Sequence, residues 1–351
     1  MKKRVAPLAD VRNIIIRLPN FLGDSINCSP AIKLLIQEYP NAQFTIVCRK
    51  PSEALFKSLP SLGNIIIDDT KARGNRFFKT IKLIFTIRKK KYDLGILFHN
   101  SFLSALIFKF SRIKHVIGYN NESRKFLLDF WIKMDRSRHY INHYANLINK
   151  YLEDKYLELP ALNIWSNGKK VDFGFNNEFP VIGLALGCDE QGARAYPQKE
   201  SLELIKLLLE QNRFNLVLIG DSREQKRNDI YMEMLTSPFS KNIQNYSGKT
   251  DVGTHINIIK KLDLLITIDS SAMHIAAAVN TPFIAVLGHS TSAFCIVKPK
   301  VNSGRYMKNE NGLIDEDLFI SQIKPSEILN EISLLLNKNQ VSAITHFKSN
   351  L

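Results

Sequence analysis

The stretch ITIDSSAMH, residues 266–274, decides the fold class of this 351-residue chain. Its β-branched start extends the apolar pair Leu264 and Leu265, and a continuous apolar run of this length is typical of a strand buried on both faces. The polar residues Asp269 to Ser271 then end the strand, and small apolar residues begin a helix. A buried strand that turns directly into a helix predicts a parallel sheet covered by helices.

The same alternation of strands and helices repeats in both halves of the chain. In the first half we predict strands over 14–16, 44–47, 65–67, 94–97 and 115–118, with helices over 26–38, 76–91 and 102–110. In the second half we predict strands over 181–186, 216–219, 264–268 and 283–287, with helices over 199–210, 222–235, 254–261, 272–279 and 325–336. This alternation favours two doubly wound α/β domains.

Residues 159–180 interrupt the alternation. They contain Pro160, the dipeptide Asn167-Gly168 and the polar pair Asn176-Asn177, a composition typical of a linker. We therefore predict an N-terminal domain over residues 1–165 and a C-terminal domain, ending in a helix, over residues 166–351. Doubly wound sheets place ligands at the carboxyl ends of their strands, so we expect the two Rossmann-like domains to face a cleft.

The composition excludes several classes of protein. Hydrophobic residues make up 45% and charged residues 23%, which rules out a disordered chain or a collagen-like repeat. The cysteines are scattered without a C-x-x-C spacing, so neither a zinc site nor a disulfide framework is indicated, and we expect a reducing cytoplasm. We find no signal peptide and no apolar run near the ~20 residues of a membrane span. The cysteines are Cys28, Cys48, Cys188 and Cys295.

The excess positive charge lies in the first half of the sequence. The net charge is +15; residues 1–165 hold 28 Lys and Arg against 13 Asp and Glu, whereas residues 166–351 hold 20 of each. We therefore expect an anionic partner for the first half, and nucleic acid, a membrane surface and an acidic glycan all qualify. The alternative is a solvated basic surface without a partner.

The turn after the first strand, RLPNFLGDS at residues 17–25, contains one glycine and one acid. The G-x-G-x-x-G pattern of dinucleotide-binding turns is absent. Asp24 has two interpretations. It either caps the following helix as a carboxylate, or it is a general base that takes a proton from a sugar hydroxyl while that oxygen attacks an activated carbon.

The second domain has an anion-site pattern at the start of its 272–279 helix. Ser270 and Ser271 place hydroxyls and free N–H groups at one helix N-terminus, and His274 lies in its first turn. Arg194, in the loop after the first strand of this domain, is suited to hold a phosphate oxygen. The alternatives are an N-cap serine with a surface histidine, and a solvated loop arginine.

Two further polar segments bear on this site. Residues 288–292, GHSTS, follow the next strand and favour the anion site. Asp315-Glu316-Asp317 matches the D-x-D pattern that holds a divalent metal in some enzymes, but we expect it to cap or precede a short helix. No metal is required if Arg194 and the helix that begins at Ser270 neutralise a diphosphate.

Five segments together resemble one family. They are LGD at 22–24, NSFLSAL at 100–106, RAYP at 194–197, NYSGKT at 245–250 and DSSAMH at 269–274. Their order and spacing are similar to those of the bacterial lipopolysaccharide heptosyltransferases of glycosyltransferase family 9, especially heptosyltransferase II. The resemblance implies the GT-B fold and transfer of a heptose, with inversion, from ADP-L-glycero-D-manno-heptose. The implied acceptor is heptose I or Kdo in the inner core of lipopolysaccharide or lipooligosaccharide.

The resemblance also implies roles for individual residues. Asp24 is the general base, and Gly23, Asn100 and Ser101 belong to the acceptor side. The donor ADP-heptose requires no metal or other cofactor in this interpretation. The residues implied for donor binding are Arg194, Lys249, Asp269, Ser270, Ser271 and His274.

The implied acceptor accounts for the charge asymmetry. An inner-core acceptor carries Kdo carboxylates and phosphorylated lipid A at the cytoplasmic face of the inner membrane. The resemblance therefore implies a cytoplasmic enzyme in peripheral contact with that membrane, without a nucleic-acid partner. Candidate docking residues are Lys79, Lys82, Arg88 to Lys91, Lys109, Arg112, Lys114, Arg124 and Lys125.

Three alternatives stay open at this point. The first is another GT-B glycosyltransferase with a different nucleotide-sugar donor or glycan acceptor. The second is a basic, non-enzymatic nucleic-acid-binding protein, although the basic stretch at 88–91 lacks interleaved aromatic residues. The third is a two-domain sugar-phosphate epimerase, which needs carboxylates from both domains, whereas only Asp24 is well placed.

Overall fold

Two parallel six-stranded sheets flanked by helices form the scaffold in a computed structural model of the chain. The structure describes residues 10–135, 140–176, 178–235, 239–287, 299, 301, 303–308 and 320–348. These residues separate into two units, with the division between Gly168 and Lys169. The doubly wound α/β class expected from the alternation is confirmed.

The N-terminal unit is arranged around its first strand. Its strands are β1 (Asn13–Arg17), β2 (Gln43–Cys48), β3 (Leu62–Ile67), β4 (Leu94–Leu97), β5 (His115–Tyr119) and β6 (Phe130–Ile132). They lie in the order β3-β2-β1-β4-β5-β6, and all neighbours are parallel. Because β1 pairs with both β2 and β4, the carboxyl ends of β1 and β4 form the switch point where such sheets bind ligands.

Helices pack on both faces of this sheet. The isoleucines of β1 are fully buried, as a strand covered on two sides requires. The inner side of the third helix contributes Leu83 and Ile87 to a core cluster with Leu97 and Phe108. The helices are α1 (Leu22–Asn27), α2 (Ser29–Glu38), α3 (Arg76–Arg88), α4 (Phe102–Phe110) and α5 (Tyr140–Tyr151).

The prediction of one continuous helix over 26–38 was wrong. The structure has two helices, because α1 ends at Asn27 and α2 begins at Ser29 with Cys28 between them. Pro30 lacks the N–H that a continuous helix requires, but it fits the first turn of a new helix. The apolar periodicity continues across this break, so it gave no sign of the interruption.

The C-terminal unit repeats the topology. Its sheet has the strand order β12-β11-β10-β7-β8-β9, so its switch point lies between the carboxyl ends of β7 and β10. Its strands are β7 (Val181–Ala185), β8 (Asn215–Leu218), β9 (Ile243–Asn245), β10 (Leu264–Ile268), β11 (Phe283–Leu287) and β12 (Gly304–Lys308). Its helices are α6 (Gln198–Glu210), α7 (Ser222–Met234), α8 (Val252–Lys261), α9 (Ser271–Val279) and α10 (Pro325–Lys348).

The described residues of 159–180 form neither helix nor strand, and their contacts change from one unit to the other. The Trp165 N–H donates to the carbonyl of Leu55 (2.8 Å) in the N-terminal unit. Asn257 of α8 donates to the carbonyl of Lys169 (2.8 Å) in the C-terminal unit. The chain therefore passes from one unit to the other between Trp165 and Lys169.

Two further features of the described residues are the state of the cysteines and the character of the helices. Cys28, Cys48 and Cys188 are buried free thiols, and Cys295 lies outside the described residues. Within the described part of the chain, no helix combines the length and apolar character needed to cross a bilayer.

Candidate functional site

Gly23 and Asp24 lie at the carboxyl end of β1, at the switch point of the N-terminal sheet. Phe21 is the N-cap of α1, so Asp24 is the third residue of this helix. Burial, reinforced by the charge of Asp24, raises the pKa of the Cys28 thiol well above its ordinary value. Cys28 therefore stays a neutral thiol, and its S–H donates to the backbone carbonyl of Asp24 (3.3 Å).

A buried ion pair fixes the turn that carries Asp24. Arg17, 4% exposed, pairs with Asp68 at the end of β3. The same guanidinium donates to the Leu18 carbonyl (3.0 Å) and to Asn20 Oδ1 (3.4 Å). Burial alone would raise the pKa of Asp68, but the Arg17 charge and hydrogen bonds from Thr70 hold it below its ordinary value. The pair therefore stays ionised and determines the path of the turn.

His99 connects this turn to the end of β4. The Asn20 side chain accepts a hydrogen bond from Arg17 through Oδ1 (3.4 Å), and its amide group lies 2.7 Å from His99 Nε2. The other ring nitrogen, Nδ1, lies 2.8 Å from Ser104 Oγ and 3.0 Å from Ser101 Oγ, and it accepts the Ser101 N–H (3.4 Å). Burial, followed by the charge of Arg17, lowers the pKa of His99 to about 4. A neutral histidine thus links the ends of β1 and β4 at the switch point of this sheet.

Arg124 is buried and organises the predicted acceptor loop. It donates to the carbonyls of His99 (2.7 Å) and Ser101 (3.1 Å) and to Asn100 Oδ1 (3.0 Å). Asn100 and Ser101 therefore lie beside the turn that carries Gly23 and Asp24, as the sheet topology predicts. The assignment of Arg124 to a docking surface was wrong, because its guanidinium is fully enclosed and bonded to backbone oxygens.

Asp269, Ser270 and Ser271 follow β10 at the switch point of the C-terminal sheet. Ser270 is the N-cap of α9, and its hydroxyl accepts the Ala272 N–H (3.2 Å). Burial raises the pKa of Asp269, and the positive charge of Arg194 opposes this rise. The loop after β7, which carries Arg194, and the loop after β10 therefore meet at one edge of the sheet.

The structure bears on both alternative interpretations of the start of α9, the N-cap serine and the surface histidine. Ser270 does cap α9, as the alternative held, but an N-cap serine leaves the remaining N–H groups at this end for an anion. The interpretation of His274 as a surface histidine was wrong, because its side chain is 7% exposed. Arg194 is exposed at the end of a short 3-10 helix, Asp189–Arg194.

Lys249 lies at the same edge but farther from the switch point. It follows β9, whereas Arg194 follows β7, and β8 lies between these two strands. Gly248 adopts a φ of 70°, which favours glycine, and its N–H donates to the Gly220 carbonyl (3.1 Å) after β8. Lys249 Nζ bonds the Asn245 carbonyl (3.1 Å) within its own turn. The structure thus groups Arg194 with Asp269 and Ser270, and it leaves Lys249 two strands away.

Comparison with known proteins identifies the family. The model of glycosyltransferase family 9 (heptosyltransferase) matches residues 80–308, which is more than half of the chain. The chain belongs to glycosyltransferase family 9. It is therefore a glycosyltransferase, and the family expected from the five sequence segments is confirmed.

Individual relatives agree with this assignment. Lipopolysaccharide heptosyltransferase 2 of Salmonella typhimurium is 26% identical over 354 residues, which cover 93% of this chain and 99% of that protein. The structure of E. coli ADP-heptose lipopolysaccharide heptosyltransferase II matches with a TM-score of 0.78 at 23% identity, over 93% and 99% of the two chains. An E. coli heptosyltransferase with ADP-2-deoxy-2-fluoro heptose matches with a TM-score of 0.69 at 14% identity, over 92% and 99%. The structural matches confirm the GT-B fold.

The glycosyltransferase holds its Arg194 loop with two side chains of α7 that sequence reasoning missed. Arg227 is buried and donates to the carbonyls of Gly187 (3.2 Å) and Tyr196 (2.5 Å), which flank the loop. Glu224 accepts the Asp221 N–H (2.8 Å) and a backbone hydrogen bond from Gly187. Helix α7 is mostly polar, so the sequence does not indicate that these two charged residues are buried while their neighbours are solvated.

Other site predictions lie outside the described residues. These are the polar loop at 288–292 and the Asp315-Glu316-Asp317 segment. Among the residues that the structure describes, no group of three or more His, Cys, Asp and Glu side chains is arranged to hold a metal ion.

Proposed function

We propose that this glycosyltransferase transfers a heptose from ADP-L-glycero-D-manno-heptose, with inversion, to heptose I or Kdo in the inner core of lipopolysaccharide or lipooligosaccharide. The observation that carries the proposal is similarity along nearly the whole chain to proteins named heptosyltransferase 2. The Salmonella protein is aligned over 93% of this chain and 99% of its own length. An alignment of this extent includes both switch points, where the two substrates of the proposed reaction would be held.

In the proposed mechanism Asp24 is the general base. It would take the proton from the acceptor hydroxyl as that oxygen attacks the anomeric carbon and ADP departs from the opposite side. The buried contacts of Arg17 and His99 support this role, because they fix the turn that carries Asp24. Asn100 and Ser101, held by Arg124, are proposed to orient the acceptor sugar.

The donor is proposed to bind at the carboxyl edge of the C-terminal sheet. The N-terminus of α9 offers free N–H groups and hydroxyls to the diphosphate, and Arg194 adds an exposed positive charge next to Asp269. These groups would stabilise the charge that develops on ADP as it leaves. The positive groups of this edge are proposed to suffice without a metal. His274 and Ser271 lie in the first turn of α9, and Lys249 would contact a more distant part of the nucleotide.

The proposed acceptor also predicts where the enzyme works. A core oligosaccharide attached to phosphorylated lipid A lies at a membrane surface, so the enzyme would be cytoplasmic and would contact the inner face of that membrane. The excess of 28 basic over 13 acidic residues in positions 1–165 favours an anionic acceptor on this side of the chain.

Mass spectrometry of defined acceptors tests the proposal. The protein is incubated with ADP-heptose and truncated lipopolysaccharides that end at Kdo, at heptose I or at heptose II. One of the first two is expected to gain the mass of one heptose. UDP- and GDP-sugars serve as matched donors. Transfer from one of them without transfer from ADP-heptose would contradict the proposal and favour another GT-B glycosyltransferase.

A further inference from the structure

The outer side of α3 does not have the composition of a helix that faces water. Phe77 and Phe78 are each 67% exposed, and Phe85 is 59% exposed. Phe78 and Phe85 are seven residues apart, so they lie on the same side of the helix. Leu83 and Ile87 on the opposite side are buried in the core of the N-terminal unit. The helix therefore presents apolar residues on two faces, and only one of them is covered by the described residues of its own unit.

The charge around these aromatic residues is of one sign. The segment 71–91 contains nine Lys and Arg and no Asp or Glu. Lys82 is exposed between Phe78 and Phe85, and the Arg88 guanidinium lies 5.8 Å from the centre of the Phe85 ring. Cations and aromatic rings thus alternate along one exposed strip.

Helix α6 of the C-terminal unit shows what a helix in contact with water looks like in the same chain. It has the same length as α3, and it also covers one face of a parallel sheet. Its exposed residues combine both signs of charge and contain no aromatic ring: Gln198, Lys199, Glu203, Lys206 and Glu210. The strip on α3 therefore differs from the exposed side of a helix of equal length in the same chain.

The position of α3 relates this strip to the acceptor side of the unit. The helix follows β3, so its first turn starts near the carboxyl edge of the N-terminal sheet. Asp68, directly after β3, forms the ion pair with Arg17 in the turn that leads to Asp24. Phe77 and Phe78 therefore belong to the end of α3 that is nearer to this edge.

We propose that the outer side of α3 lies in the headgroup region of an anionic phospholipid bilayer, with Phe78 and Phe85 inserted between lipids. Lys82, Arg88 and Lys89 to Lys91 then contact lipid phosphates. Amphipathic helices with aromatic residues flanked by cations bind membrane surfaces in this manner. The inference rests on the proposed function in one respect: the proposed acceptor is itself anchored in the same bilayer.

Sedimentation with vesicles tests the proposal directly. The full chain is mixed with vesicles of phosphatidylethanolamine and phosphatidylglycerol, and in parallel with vesicles of phosphatidylcholine alone. We expect binding to the first and little to the second. Phe78→Ser/Phe85→Ser should lower the partition coefficient about tenfold, because two exposed rings lose their apolar burial. Lys82→Gln/Arg88→Gln/Lys89→Gln should lower it at least tenfold, and added salt should weaken the wild-type chain similarly.

A matched control uses the other unit. Lys206→Gln/Met234→Ser replaces an exposed cation of α6 and an exposed apolar residue of α7, and vesicle binding should not change. The phenylalanines are exposed, so their replacement should leave the melting temperature unchanged. Failure of the wild-type chain to bind the phosphatidylglycerol vesicles would overturn the proposal. A wild-type dimer that Phe78→Ser/Phe85→Ser converts to monomer would also overturn it, since the strip would then contact a second copy.

Two acceptors separate this inference from the proposed function. Phe78→Ser/Phe85→Ser should slow heptose transfer to acceptor in vesicles and leave transfer to a deacylated, water-soluble acceptor unchanged. A chain that binds vesicles through α3 but transfers heptose to neither acceptor would refute the proposed function and support the inference. A chain that transfers heptose to both acceptors at rates independent of the two phenylalanines would refute the inference and support the function.

Discussion

The two switch points of this glycosyltransferase have the same topology but differ in where their charges lie. At the N-terminal switch point the charged groups Arg17, Asp68 and Arg124 are buried and bonded to the protein itself. At the C-terminal switch point Arg194 is exposed. The buried Arg227 donates to the Tyr196 carbonyl and so holds the loop that carries Arg194. The first arrangement fixes the position of one half-buried carboxylate, Asp24. The second leaves an exposed cation at the same edge of the sheet as a helix N-terminus, a combination that suits an anion.

Under the proposed function, this difference divides the transfer reaction between the two switch points. A general base must lie within hydrogen-bond distance of the hydroxyl whose proton it takes. Buried neighbours that are bonded to the protein itself hold such a base in position. A diphosphate carries its own charge and is drawn by exposed cations and free N–H groups. Substitutions at the two switch points should therefore have separable effects.

The largest effect is expected for Asp24→Asn. Loss of the proposed general base should lower kcat by about 100-fold to 10,000-fold, while the dissociation constant of ADP stays within about twofold, because the proposed donor site lies in the other unit. Rates are measured with ADP-heptose and the preferred core acceptor. Asp154→Asn, at an exposed acid in the turn after α5, is the matched control. Near-normal turnover of Asp24→Asn would remove this residue from the mechanism.

The next effect concerns stability at the N-terminal switch point. Asp68→Asn leaves Arg17 buried without its partner charge and should lower the free energy of unfolding by about 3 kcal/mol or more. Urea unfolding measures this loss. The control is the neighbouring Asp69→Asn, because Asp69 is exposed. Equal stability of the two variants would show that the buried ion pair does not determine the conformation of this turn.

A smaller effect is expected at the C-terminal switch point. Arg194→Ala removes the charge-assisted contact proposed for the diphosphate and should weaken ADP-heptose binding by about 1.5–3 kcal/mol, without loss of stability because the side chain is exposed. Isothermal titration calorimetry gives the affinity, and Lys206→Ala on α6 is the matched control. An unchanged affinity, or a large loss of stability, would contradict the donor-binding role proposed for Arg194.

The smallest effect is a dependence of stability on pH. His99 has a pKa of about 4 in the folded chain and an ordinary value of 6.5, so between these values the unfolded chain binds a proton that the native chain does not. Stability should therefore fall as the pH decreases through this window, by about 1–2 kcal/mol from pH 7 to pH 5 for this group. His99→Gln should flatten the profile measured by urea unfolding. A steeper profile in the variant would contradict the assigned neutral state.

The sheets could be predicted from the sequence because their strands are short, apolar and bounded by polar turns. The strands over 94–97, 264–268 and 283–287 have the predicted bounds. The three-residue edge strands β6 and β9 were not predicted, since so short a segment has no measurable period. Gly23, Asp24 and Ser270 were located correctly at the ends of strands because strand–turn–helix connections fix such positions.

The supporting network of the site could not be predicted. Asn20 and His99, or Arg17 and Asp68, meet only after the sheet has formed, and nothing in the sequence marks an arginine as buried. Arg124 shows the consequence, because it was assigned to a basic surface and is instead enclosed by backbone carbonyls. Long-range hydrogen bonds of this kind depend on strand order, which the alternation of elements does not specify.

Calorimetric titration of ADP-heptose into Asp24→Asn and Arg194→Ala tests the central claim, that the two switch points divide acceptor activation from donor binding. We predict that Asp24→Asn binds the donor within about twofold of the wild-type affinity, although it has lost turnover. We predict that Arg194→Ala binds it at least about tenfold more weakly. Donor affinity that is lost in Asp24→Asn and retained in Arg194→Ala would contradict the account.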